Sequence, residues 1–246
     1  MLCPGPVFDL LISPPRPEES QEASPGICVD SCLDLISGSP ENRLGVKPGE
    51  KVHVALSSRL DFYWPVGFPS SGVYKQCITS FQVFGAWLCG GVVSVGDPAL
   101  SIELLRDQLS DLGATLVVTS RAHLAKFLTA NKLLEEYARV QILVMDAEPA
   151  TLLPEGAKPF SEMLLGEEDD CPDLAGLGSW SPRLTAVIHW SSGTTGRPKG
   201  ILHSQGYLHY MLKKSKLPRG TVSFNSNIFF HQGAFLLPFD GGLFNG

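Results

Sequence analysis

The residues best suited to chemistry lie in one stretch, Ser191 to Gly200, which reads SSGTTGRPKG and follows directly on the apolar run Thr185 to Trp190. Gly193 and Gly196 let the backbone curl so that successive N–H groups converge on one anion. The hydroxyls of Ser191, Ser192, Thr194 and Thr195 add donors, and Lys199 brings a positive charge. This combination predicts a phosphate site. A loop leaving the carboxyl end of a parallel strand is also where α/β sheets bind ligands. It is not a Walker loop, because Arg197 rather than Lys follows the second glycine and no Ser or Thr follows Lys199, which disfavours a P-loop NTPase. Composition alone fits a Gly/Ser/Thr surface loop about equally well; the ordered combination favours the site.

The elements that must carry this loop alternate along the chain. Lys51 to Leu56 is a β-branched run read as a strand, entered by a turn at Gly45 to Gly49. Cys77 to Leu88 has helical spacing, with Gly90-Gly91 as its stop. Val92 to Val95 is a short buried strand. Ser101 caps a helix to Leu112, with Leu104, Leu105, Leu109 and Leu112 inward and Gly113 as its stop. Thr115 to Thr119 is a strand, Ala122 to Tyr137 a helix, and Val140 to Met145 a further strand. Such alternation predicts a parallel sheet with right-handed crossovers. The acidic, Pro-containing stretch 147–180 reads as a solvated surface connection. His189 falls inside the strand before the loop, where alternation makes it a sheet residue rather than a catalyst.

Composition narrows the classes. A chain of 246 residues that is 43% hydrophobic can bury a substantial core, so disorder of the whole is excluded. A formal net charge of −6, with Lys and Arg scattered, gives no footprint for nucleic acid or an anionic membrane surface. No apolar stretch is long enough to span a bilayer. Cysteines at positions 3, 28, 32, 77, 89 and 171 lack a disulfide rhythm, which fits a reducing, cytoplasmic setting. Cys28 and Cys32 have no second Cys/His pair at ligand spacing, so no metal is assigned to them. Residues 1–43, rich in Pro, Ser, Gly and Glu, read as a disordered tail and a poor signal peptide, which leaves 44–246 as the ordered domain.

SSGTTGRPKG resembles, nearly letter for letter, the signature of the adenylate-forming superfamily: acyl-CoA synthetases, 4-coumarate–CoA ligase, luciferase and peptide-synthetase adenylation domains. Gly45 to Leu56, reading GVKPGEKVHVAL, looks like that family's first ordered strand, and Gly85 to Pro98, reading GAWLCGGVVSVGDP, like its next helix and strand. Ile228 to Phe235, reading IFFHQGAF, resembles the aromatic and glycine motif beside the acyl and adenylate pocket. The resemblance places His231, Gly233 and Ala234 at the pocket wall; without it, His231 would be an ordinary partly buried histidine. It gives residues 44–246 the fold of a partial N-terminal α/β domain, a parallel-rich sheet flanked by helices, without the C-terminal domain. His203, four residues after Lys199, fits the acetyl- and propionyl-CoA synthetase branch, whereas the motif at His231 fits the 4-coumarate branch. The acid is left open.

The chemistry so implied is activation of a carboxylic acid by ATP to an acyl-adenylate, followed by transfer to coenzyme A. Ser191, Ser192, Gly193, Thr194, Thr195, Gly196 and Lys199 would hold the β and γ phosphates with Mg²⁺ between them. Family members also use a glutamate in Tyr-Gly-x-Thr-Glu, an aspartate in Tyr-x-Thr-Gly-Asp and a C-terminal adenylation lysine. None of the tyrosines at 63, 74, 137, 207 and 210 opens either motif. The expectation is an incomplete AMP-binding domain without turnover of its own. Residues 67–80 look like an insertion, and a full-length form would be free to carry a peroxisomal or mitochondrial address. The alternative is a non-catalytic nucleotide-binding or interaction module, or a truncation that does not fold.

Overall fold

A computed structural model of the chain describes residues 46–47, 49–56, 86, 90–148, 150–160, 181–191 and 197–214. The expected tail at 1–43 and most of the expected helix Cys77 to Leu88 lie outside these residues, though Ala86 is helical. The strands are β1 (Lys51–Ala55), β2 (Val92–Val95), β3 (Leu116–Thr119), β4 (Gln141–Val144), β5 (Ala157–Pro159), β6 (Thr185–Ser191) and β7 (Lys199–Ser204). The helices are α1 (Ile102–Leu112), α2 (Arg121–Lys132) and α3 (Gln205–Lys214). The strands form one sheet in the order β5-β4-β3-β1-β2-β6-β7. Every pairing is parallel except that of β6 with β7. This is the expected parallel-rich α/β fold.

The central strands are apolar on both faces, as parallel strands between helices must be. Val52, Val54, Val93 and Val118 are buried on one face, and Ala55, Val117, Ile142 and Val144 on the other. That second face packs on Leu105, Leu109 and Leu112 of α1 and on Leu124, Phe127 and Ala130 of α2. The start of α1 is set by Ser101, whose hydroxyl accepts from the Leu104 N–H at 3.3 Å. Its end is set by Gly113 at φ +59°, a conformation that costs a side-chain-bearing residue more than glycine. The helix therefore keeps the bounds its caps predict. Leu104 is only half-buried, however, and the fourth inward position is Gln108.

Three expectations are corrected. The helix predicted to run to Tyr137 ends at Lys132, followed by a 3-10 turn at Glu136–Ala138. The cause is Asn131, whose amide donates to the Val140 carbonyl and accepts the Val140 N–H, both at 2.9 Å, turning the chain into β4. The connection at 147–180 contains a strand, β5, which adds to the β4 edge where Pro159 is tolerated. The stretch Ser191 to Gly200 is not wholly loop, since Ser191 closes β6 and Lys199 and Gly200 open β7. Because the amide of Asn131 satisfies two buried backbone groups at once, Asn131→Ala is expected to lower stability by about 2 kcal/mol. Urea unfolding checks this; a change under about 0.5 kcal/mol would show that the turn holds without the amide.

Candidate functional site

The stretch Ser191 to Gly200 begins and ends in paired strands, β6 and β7. β6 runs parallel to β2, so its carboxyl end lies on the ligand-binding side of the sheet, and the chain returns antiparallel as β7. Ser191 and Lys199 are register partners across the hairpin, and the Ser191 hydroxyl lies 3.4 Å from the Lys199 carbonyl. Lys199 is exposed and Ser191 half-buried at the mouth of the tip. Ser192, Gly193, Thr194, Thr195 and Gly196 lie outside the described residues, as do His231, Gly233 and Ala234. The structure thus brings together Ser191 and Lys199 of the predicted set.

Arg197 has a role the sequence did not assign. Its guanidinium donates to both carboxylate oxygens of Asp111, at 3.1 and 3.0 Å, and lies 3.9 Å from Asp107, so the returning arm is tied to the last turn of α1. The pair is exposed, and such pairs contribute little stability in water. It leaves Lys199 as the tip's cation with no ion pair among the described residues. Between α1 and the hairpin lies a cleft of about 560 Å³. Leu112, Ile188, Trp190 and Leu202 form its apolar surface, and Lys51 and Lys199 reach its rim.

Beneath the hairpin a polar group crosses three strands. The Trp190 indole N–H donates to the Ser94 hydroxyl at 2.9 Å, and Ser94 Oγ lies 3.0 Å from His53 Nδ1. Indole is a donor only, so Ser94 Oγ accepts from Trp190 and keeps both its hydrogen and a second lone pair for Nδ1, the direction of that bond following the imidazole tautomer. His53 is fully buried, and desolvation lowers its pKa to about 4. Phe127 lies beside it, with ring centroids 6.3 Å apart. Its place could be found in sequence from the polar residue in each of the apolar runs KVHVA and VVSV, but its partners follow only from strand register.

The other face of the hairpin is a histidine and tyrosine layer. His203 meets His189 edge-on at 5.1 Å and stacks on Tyr207 of α3 at 5.1 Å. His189 is 4% exposed, a sheet residue as expected, and burial lowers the pKa of His203. His203 therefore packs α3 against the sheet on the face away from the cleft. No group of three or more His, Cys, Asp or Glu side chains suited to a metal occurs among the described residues. No helix there is long and apolar enough to cross a membrane.

The sequence profile described as AMP-binding enzyme matches residues 80–239. Among curated relatives, 4-coumarate-CoA ligase 2 of Narcissus pseudonarcissus is 31% identical over 122 residues, covering 50% of this chain and 21% of the relative. N-(5-amino-5-carboxypentanoyl)-L-cysteinyl-D-valine synthase of Amycolatopsis lactamdurans is 30% identical over 132 residues, covering 53% of this chain and 3% of that protein. The fold is shared with a natural red emitting luciferase from Phrixothrix hirtus (TM-score 0.63, 17% identity, 89% of this chain and 38% of that one). It is also shared with a benzoate CoA ligase from Burkholderia xenovorans LB400 (TM-score 0.62, 17% identity, 87% of this chain and 38% of that one). The chain spans between 21% and 30% of the length of these curated 4-coumarate–CoA ligases. With the profile covering most of the chain, including both strands that flank the Ser191 to Gly200 stretch, the chain belongs to the AMP-binding enzymes of the adenylate-forming superfamily.

Proposed function

We propose that the chain supplies the ATP-phosphate site of an AMP-forming acid–CoA ligase. In that reaction a carboxylate oxygen attacks the α-phosphorus, the bond to the bridging oxygen breaks, and pyrophosphate leaves with the electron pair. A thiol then attacks the acyl carbonyl and AMP leaves. The observation that carries this reading is the pairing of Ser191 with Lys199 across a hairpin at the carboxyl end of a parallel strand.

Charge grows on the leaving phosphates, so the protein's contribution is placement and neutralisation. The Lys199 ammonium is exposed and pairs with no carboxylate among the described residues, so it is free to meet that charge. The hydroxyls from Ser191 to Thr195 and the backbone N–H groups at Gly193 and Gly196 would donate to phosphate oxygens. Mg²⁺ suits the phosphates themselves, because it holds most of its shell as water and phosphate oxygen and needs no protein cage. The acid is a small-molecule carboxylate; CoA is the acceptor the relatives' names support.

Calorimetry with MgATP on the whole chain tests the reading. Saturable binding is expected, weakened about tenfold or more by Lys199→Ala, the loss of one charge-assisted contact. Lys199 is exposed, so the variant keeps the fold. Equal affinity in the two proteins, or no binding by a chain that circular dichroism shows to be folded, would refute it.

A further inference from the structure

Hydrogen bonding between β2 and β6 stops before the hairpin tip. The last register pair is Val95 with His189, which leaves Trp190 and Ser191 beyond the final rung. On that side the tip is held by a side chain: the Trp190 indole N–H reaches back to Ser94, which is fully buried in β2. The same indole packs against the returning arm. Trp190 is the register partner of Gly200, and a Cβ at Gly200 would lie 3.6 and 3.7 Å from the six-membered ring and 3.2 Å from Ile188. The ring is thus pinned at its nitrogen by β2 and covered at its far edge by β7.

We propose that Ser94 is a positioning residue for the phosphate hairpin, acting through Trp190, with His53 orienting the Ser94 hydroxyl. This rests on the nucleotide reading above and adds to it the group that sets where the loop stands. A Trp rotamer has two torsions, and a hydrogen bond at Nε1 selects between ring orientations that packing alone leaves similar in energy. With the ring fixed, Ser191 leaves β6 in one direction and Lys199 returns opposite it. Arg197 and Asp111 hold the other arm, but their pair is exposed and weakened by salt. The indole–hydroxyl bond is partly buried and carries no net charge, so it is the tether that persists at ordinary ionic strength.

The test compares Ser94→Ala, Trp190→Phe, their double variant and Thr119→Val in the whole chain. Thr119→Val removes a bond of the same length, the buried Thr119 hydroxyl to the Ala55 carbonyl at 2.9 Å, two strands from Ser94. It controls for loss of stability alone. Ser94→Ala and Trp190→Phe are each expected to raise the MgATP dissociation constant about fivefold and to speed amide exchange across residues 188–201 by a similar factor. The double variant should be no worse than either single one, because both remove the same bond. Thr119→Val should shift the melting temperature and neither of those readouts. If Ser94→Ala behaves as Thr119→Val does, the proposal is overturned. A parent chain that does not bind MgATP would sink the nucleotide reading; amide exchange then decides alone, and unchanged exchange in both Ser94→Ala and Trp190→Phe overturns the positioning role.

Discussion

Gly96→Ala is expected to lower the unfolding free energy by about 3 kcal/mol, at the upper end for overpacking a buried position. The reason is contact rather than backbone strain. A Cβ built at Gly96 would stand 2.5 Å from His53 Cε1, 2.8 Å from His53 Nε2 and 3.0 Å from Gln108 Oε1. None of these has an easy retreat. The imidazole is held at Nδ1 by Ser94 and bordered by Phe127, and Gln108 is 2% exposed on the inner side of α1. Moving the ring would break the group that carries Trp190, so the loss should reach the hairpin as well as the core. In a chain of this size the melting temperature should fall by roughly 10 °C. Shrinking the obstacle should reverse part of the effect: Gly96→Ala combined with His53→Ala should cost clearly less than the sum of the two single changes. Strict additivity in urea unfolding would show that the new methyl group is accommodated elsewhere.

Sequence made the framework legible where local and tertiary preferences agree. Ser101, the leucines that follow it and Gly113 bound α1 correctly, because cap, periodicity and stop are all local to that helix. β1, β2, β3, β4 and β6 stand out as short apolar runs between breakers. β5 does not, since Ala157, Lys158 and Pro159 show neither alternation nor β-branching and become a strand only by pairing with the β4 edge. The end of α2 was hidden for a similar reason: Leu133, Leu134 and Tyr137 continue a helical rhythm, while the Asn131 amide spends its bonds on Val140, nine positions on.

The same distinction runs through the site. That Ser191 to Gly200 could hold a phosphate is visible in residue types alone. That it is a hairpin with Ser191 opposite Lys199 depends on the antiparallel return of β7, whose exposed Ile201 and Leu202 do not show which way the strand runs. The group under the hairpin is less legible still. His53, Ser94 and Trp190 each sit in an apolar run, but they meet only because His53 pairs with Ser94 and Ser94 with Ile188 across β1, β2 and β6. A slip of one residue would send Ser94 to the opposite face of the sheet.

His53 should also make the fold acid-sensitive within a defined window. Burial lowers its pKa in the folded chain to about 4, against 6.5 for an exposed histidine. The unfolded chain therefore takes up a proton as pH falls through 6.5, while the folded chain still excludes it, and protonation draws the equilibrium toward unfolding. The stability that neutral His53 represents is fully present above pH 6.5 and declines between 6.5 and about 4, by roughly 3 kcal/mol in all. Ser94, Gln108 and Phe127 around the ring carry no charge that could offset the proton. Burial shifts His123 and His203 in the same direction, so they add to the slope. Urea midpoints taken from pH 8 to 4.5 should fall steeply below 6.5 in the parent chain. In His53→Gln, which cannot take up a proton there, they should start lower and fall less. Parallel pH profiles for the two proteins would place the acid sensitivity elsewhere and show that the imidazole can be charged where it lies.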